Sequence, residues 1–262
     1  RVIDTHHFYL DGHRIRDVGF YPELSLTGIL QKSSDTGVSH LSLAMPVQKL
    51  LDTYKSFGFG DPTGLGLTGE SSGLMPQRRY WSDLDRATFA FGYGLMVTPL
   101  QLAHVYATIG SFGIYRPLSI TRIDPPVIGT RVMPEALVHQ VEHMMESVAL
   151  PGGGGTKAAV RDYRVAVKTG TAKKIGDDGK YVDKYVAYTA GVAPASDPKF
   201  ALVVVINNPQ NGAYYGGAVS APVFSQIMGD VLRLENVKPD GMPADSDHLL
   251  VMHGSNVSSP SL

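Results

Sequence analysis

Cysteine is absent from the 262 residues. No disulfide framework, thiol nucleophile or cysteine-ligated metal is therefore open to the chain. The compartment is left undecided, because a protein of this size needs no disulfide even in an oxidising space. Long apolar runs are lacking as well: the strongest, residues 200–206, falls far short of the ~20 residues of a membrane-spanning helix. Nor is charge of either sign in excess. Lys plus Arg number 23 and Asp plus Glu 24, for a formal net charge of −1, which leaves no electrostatic footprint for nucleic acid. Glycine and proline are plentiful instead, at 29 and 17 residues, too many for a helical bundle and suited to a turn-rich mixed fold. The opening Arg1-Val2-Ile3-Asp4 has neither a Met nor a signal-like pattern, so the chain reads as the interior of a longer protein.

The first twenty residues alternate loosely, as in His6-His7-Phe8-Tyr9-Leu10-Asp11-Gly12, and are expected to be extended and partly exposed. Helical spacing starts at Leu24 with Leu26, Ile29 and Leu30. It resumes from Val38 through Leu41, Leu43 and Met45, and again after Pro46 with Leu50, Leu51 and Tyr54. Residues 58–80, dense in Gly, Pro, Thr and Ser, are expected to form a long surface loop. Thr98-Pro99 places an N-cap hydroxyl before a proline at the first helical position. Pro134-Glu135 opens another helix with an apolar stripe of Leu137, Val141, Met144 and Val148, ending at Pro151-Gly152-Gly153-Gly154-Gly155, a hinge or tight turn.

Beyond this the period changes. Residues 164–168, 185–192 and 199–207 are β-rich and separated by turn residues. Short connections predict antiparallel neighbours, and Val203-Val204-Val205-Ile206, apolar on both faces, predicts a strand with helices on both sides. A last helix is expected over about 220–234. The polar residues 236–262 read as a disordered tail.

Three motif matches are weak. His139-Gln140-Val141-Glu142-His143 fits H-x-x-E-H, but its charged side chains fall opposite the apolar stripe, toward water, so no metal is expected. Gly64-Leu65-Gly66-Leu67-Thr68-Gly69 lacks the strand and helix that a dinucleotide site requires. Ser196-Asp197-Pro198-Lys199 satisfies S-x-x-K, yet its internal proline denies it the helical spacing that catalysis needs.

Lys168-Thr169-Gly170-Thr171, expected at the end of the first late strand, supplies a cation, two hydroxyls and a glycine that admits close backbone approach, with the Thr171 amide free to face an oxyanion. Ser33-Ser34-Asp35, at a junction between helical segments, adds a hydroxyl and a short polar side chain if the helices pack on the sheet.

K-T-G and S-D-N, with S-x-x-K, are the motif set of penicillin-binding proteins. Leu30-Gln31-Lys32-Ser33-Ser34, Ala90-Phe91-Gly92-Tyr93-Gly94-Leu95-Met96-Val97-Thr98-Pro99, Ala190-Gly191-Val192-Ala193-Pro194 and Tyr215-Gly216-Gly217-Ala218-Val219-Ser220-Ala221-Pro222 extend the match. Residues 1–235 resemble the transpeptidase domain of the class B, septal penicillin-binding proteins of Gram-negative bacteria. The resemblance implies an α/β fold of the penicillin-binding protein/serine β-lactamase type, with a mostly antiparallel central sheet and helices on both faces. It implies a peptidoglycan D,D-transpeptidase that works through a serine acyl-enzyme, needs no cofactor, binds stem peptides and β-lactams, and contacts divisome proteins through N-terminal regions. The matching enzymes place this domain in the periplasm on an inner-membrane anchor. Carried over by position, Ser33 relays a proton, Lys168 tunes the site, and Thr169, Gly170 and Thr171 hold the substrate carboxylate. Tyr93, Tyr185 and Tyr215 line the cleft, with ordinary packing as the alternative.

Two departures stand out. No S-x-x-K precedes Ser33, so the nucleophile is expected in a part of the protein upstream of this chain. Asp35 stands where the motif has Asn. An ionised carboxylate only accepts hydrogen bonds, whereas a protonated one regains a donor, so acylation is expected to be favoured in mildly acidic medium, with a tolerated substitution of altered inhibitor affinity as the alternative. An ionised Asp35 is also expected to pair with nearby lysines and raise their pKa. The competing reading is a scaffold that keeps the fold without the chemistry.

Overall fold

The computed structural model describes residues 2–210 and 212–241. At the start, β1 (Val2–Asp4) pairs antiparallel with β4 (Glu23–Ser25), and between them β2 (Phe8–Leu10) and β3 (His13–Ile15) form a hairpin that turns at Asp11-Gly12. The Ser25 side chain accepts from the Gly28 amide and caps α1 (Leu26–Lys32), and α2 (Asp35–Leu43) and α3 (Val47–Ser56) follow. Residues 58–80 are irregular, as their composition predicts, and Gln101 ties them down by donating to the carbonyls of Asp61 and Ser72.

α4 (Asp83–Ala90) is a helix that hydrophobic periodicity misses. It is only eight residues long, too short to show a period. Its local signal is the reciprocal capping box of Ser82 and Asp85. A second such box, Thr98 with Gln101, and a proline at the first position start α5 (Pro99–Gly110) where the sequence places it. A short ladder of β5 (Ile114–Tyr115) and β6 (Thr130–Arg131) precedes α6 (Glu135–Ala149).

α6 turns a different face inward from the expected one. Leu137 and Val141 are exposed, and the buried line is Val138, Glu142, Met145 and Val148. The two lines are neighbours on the helix surface, and apolar periodicity selects the one that carries no charge. Packing against the sheet selects the other, with Glu142 inside it.

Three long strands form the central sheet in the order β7 (Ala166–Ile175), β8 (Tyr181–Ala193), β9 (Phe200–Asn207), each antiparallel to its neighbour. α7 (Gly216–Val219) and α8 (Ala221–Leu234) close the described part. Strand alternation sends Val167 and Val204 toward Phe224, Met228 and Leu232 of α8, while Ala166 and Val192 meet Met145 of α6, Leu30 of α1 and Tyr106 of α5. The sheet therefore carries helices on both faces. Phe224, wholly buried, contributes about 1.5–3 kcal/mol by leaving water.

β7 continues well past Lys168, so the K-T-G-T segment lies within a strand and not at its end. That strand is an edge of the sheet among the described residues. Past α8, residues up to Gly241 run against the domain: the Tyr163 hydroxyl donates to the Val237 carbonyl, and Asp240 accepts from the amides of Arg164 and Ser196. The remainder of the expected tail lies outside the described residues. No helix among those described is long and apolar enough to cross a membrane.

Candidate active site

Ser33 sits at the break between α1 and α2, in the left-handed conformation with φ 53° and ψ 54°. The Ser33 and Ser34 amides donate back to the carbonyls of Leu30 and Ile29, which closes α1. Ser34 then caps α2 by accepting from the Gly37 amide at 2.9 Å. Asp35 is thus the first residue of α2, where the helix dipole favours negative charge.

Across the cleft, Lys168 reaches from β7 and donates through Nζ to the Ser33 hydroxyl, and also to the Thr169 carbonyl at 2.9 Å. The two motif elements, 135 residues apart in sequence, therefore form one constellation. Burial pushes the Lys168 ammonium down to about 8, against the opposing pull of Asp35. Asp35 is pushed up to about 6, first by burial and then by the charge of Asp17, with Lys168 working against both. The expectation that Asp35 would leave its lysine partner with a raised pKa is therefore corrected. Loss of water outweighs the attraction of Asp35.

The K-T-G-T segment divides by strand alternation. Lys168 and Gly170 share the Ala166 face, whereas Thr169 and Thr171 share the Val167 face. Gly170 lies under the Tyr188 ring, where a Cβ would come within 2.1 Å of the ring carbon Cζ. On the other face the Thr171 hydroxyl accepts from the Gly216 amide at 3.0 Å and keeps its own proton to donate. Gly216 must be glycine: a Cβ there would lie 2.5 Å from the Gly170 carbonyl oxygen. Close backbone packing of α7 on β7 thus holds the threonine rows.

The glycine run after α6 is a tight turn rather than a hinge. The Gly154 amide donates to the Gln31 carbonyl at 3.1 Å and Lys32 Nζ to the Gly152 carbonyl at 2.6 Å. It locks α1, and hence Ser33, against Thr169.

The three tyrosines singled out from the sequence do not form one wall. Tyr185 stacks on Tyr214 and Tyr214 on Tyr215, with centroids 4.1 and 4.5 Å apart. Tyr93 packs edge-on against Tyr181 instead. Lys173 joins the groups, lying over the Tyr185 ring and donating its amide to the Tyr93 hydroxyl. Tyr214 was the missed member, and its adjacency to Tyr215 was the available signal. Asp17 was missed too, because nothing in its local sequence ties it to Ser34.

The family model described as the penicillin binding protein transpeptidase domain matches residues 3–229. The chain belongs to that family. It is 64% identical over 261 residues to the peptidoglycan D,D-transpeptidase FtsI of Escherichia coli K12, covering 99% of this chain and 44% of that protein. To the probable peptidoglycan D,D-transpeptidase PenA of Neisseria gonorrhoeae it is 38% identical over 238 residues, covering 90% and 41%. The chain thus spans less than half the length of these curated relatives. Among solved structures, the TP domain of penicillin-binding protein 3 from Burkholderia pseudomallei superposes with a TM-score of 0.87 at 36% identity, covering 93% of this chain and 74% of that one.

Within the penicillin-binding transpeptidase fold, Ser196 and Lys199 fall in the turn between β8 and β9. Glu142 of the H-x-x-E-H match is buried, contrary to the solvent-facing position expected of it, and His139 packs at a tilt against Phe112. No group of three His, Asp or Glu among the described residues has the geometry to hold a metal ion.

Proposed function

We propose that the chain is part of a serine D,D-transpeptidase that cross-links peptidoglycan stem peptides during septal wall synthesis and is acylated by β-lactams. The observation that carries this reading is the hydrogen bond from Lys168 Nζ to the Ser33 hydroxyl, which joins the two motif elements in one cleft. The attacking serine and its S-x-x-K lysine come from outside these 262 residues. That serine attacks the penultimate D-Ala carbonyl, the amide bond breaks, and terminal D-Ala leaves with a proton. The amine of a neighbouring stem then displaces the ester, and the proton returns to the serine oxygen.

In this scheme Ser33 relays the proton to the leaving amine, and Lys168, held near 8, exchanges it at neutral pH. Thr169, Gly170 and Thr171 hold the substrate carboxylate and admit its backbone. Tyr93, Tyr185 and Tyr215, joined by Tyr214, line the approach. Asp35 faces the substrate amide where the motif has Asn. Its protonated form donates a hydrogen bond there and its ionised form repels the carbonyl, so acylation is favoured in mildly acidic medium. The protein works in the periplasm on an inner-membrane anchor, with divisome partners on its N-terminal regions.

Incubation of the intact protein with a fluorescent penicillin is expected to give a covalent adduct. A folded protein that forms none would favour the second reading, a catalytically silent scaffold, which the carboxylate at position 35 supports.

A further inference from the structure

Besides Lys168, the turn that presents Ser33 and Asp35 is held from outside α1 and α2 by a second side chain, Asp17. Its Oδ2 accepts from the Ser34 hydroxyl at 2.5 Å and its Oδ1 from the Thr36 amide at 2.9 Å. Ser34 and Thr36 are both buried. The same Ser34 hydroxyl accepts from the Gly37 amide, and the Thr36 hydroxyl donates onward to the Thr5 carbonyl. Asp17 thus spans the residues on either side of Asp35 and acts as a second N-cap for α2. The charges that act on Asp35 are Asp17 from the segment after β3 and Lys168 from β7.

Resting on the reading above, we infer that Asp17 is a positioning residue of the acylation site. It fixes the left-handed Ser33 and the start of α2, and it sets a second carboxyl against the two residues that flank Asp35. Asp17 accepts both hydrogen bonds through its two carboxyl oxygens. Asp35 accepts none of the side-chain bonds that hold the turn, so a proton placed on the pair is free to be donated from Asp35 into the cleft. Burial raises Asp35 most, and the charge of Asp17 raises it further. The pair therefore gives position 35 the donor that an asparagine would otherwise provide, under mildly acidic conditions.

The test uses the intact protein, with the Asp35 carboxyl followed by 13C NMR across pH and penicillin acylation followed in parallel. Asp17→Asn keeps shape and one acceptor but removes the charge. The Asp35 midpoint is expected to drop by about half a unit or more, and the high-pH limb of the acylation profile, where the rate falls, to move with it. In an Asp35→Asn background the Asp17 substitution is expected to leave the profile unmoved. A folded Asp17→Asn protein with the wild-type midpoint overturns the pairing. Ser34→Ala, which cuts only the hydroxyl link, is expected to slow acylation several-fold at every pH while the Asp35 midpoint stays put; unchanged rates overturn the positioning role. If no variant and no wild-type protein is acylated, the transpeptidase reading fails, and the NMR midpoint still decides the pair.

Discussion

Two carboxyls, Asp35 half-buried and Glu142 buried, sit in opposite circumstances. Asp35, at the mouth of α2, feels the charges of Lys168 from β7 and of Asp17 from the segment after β3, and is pushed up to about 6, first of all by burial. Glu142, in the middle of α6, is pushed up to about 7 by burial and then by Glu146, and neither of its oxygens has a hydrogen-bond partner. His139 approaches one of those oxygens at 3.7 Å, outside hydrogen-bonding range. Burial raises both groups for the same reason, the loss of water around the charged form. What differs is the company. At Asp35 a cation and a second carboxylate make protonation a property of the site, whereas at Glu142 an unmet carboxyl costs stability without contact to any reacting group.

The sharpest test of that contrast is to remove the cation. Lys168→Ala in the intact protein is expected to cut penicillin acylation by about a thousand-fold, with the thermal midpoint little changed, because a buried charge is lost along with its interactions. A drop of less than tenfold would place Lys168 among structural residues, on a par with Glu142.

Glu142→Leu should show the reverse pattern, a gain in stability without loss of acylation. The folded value of about 7 lies above the ordinary 4.5. Stability supplied by the neutral carboxyl is therefore fully present below 4.5 and is lost as pH rises through about 7. That gap corresponds to about 3 kcal/mol. Denaturant unfolding at pH 8 is expected to show the variant more stable by an amount of that order, and at pH 4.5 to show a much smaller difference. A gain of equal size at both values would trace the effect to packing alone.

Asp35 gives the smaller, purely pH-dependent effect. Its folded value of about 6 lies above 3.8, so the donor form predominates below about 6 and declines tenfold per unit above it. Wild-type acylation is expected to fall by up to about fifty-fold between pH 6 and pH 8 beyond any change in Asp35→Asn. Superimposable profiles would make the aspartate a bystander.

Legibility differed between these regions. Thr98-Pro99, Pro134 and Pro222 announced three helix starts because capping and proline chemistry are local, and α5, α6 and α8 begin there. The three strands showed their turn residues, and K-T-G-T with Ser33-Ser34-Asp35 showed candidate chemistry. The buried face of α6 could not be read, since apolar spacing assigns a carboxylate to the solvent side. The extent of β7 was hidden too, because Thr169, Gly170 and Thr171 are half-buried and carry no apolar alternation.

Residue types and local spacing were sufficient to determine where helices and strands form, which motif carries a cation, and that a carboxylate replaces an amide at position 35. Only the folded chain decided that Lys168 meets Ser33, that Asp17 spans the turn around Asp35, that Tyr214 links Tyr185 to Tyr215, and that Glu142 lies inside. The reason is physical. Caps and turns are short-range and are written in neighbouring residues, whereas desolvation and charge pairing depend on what long-range packing brings within a few ångströms.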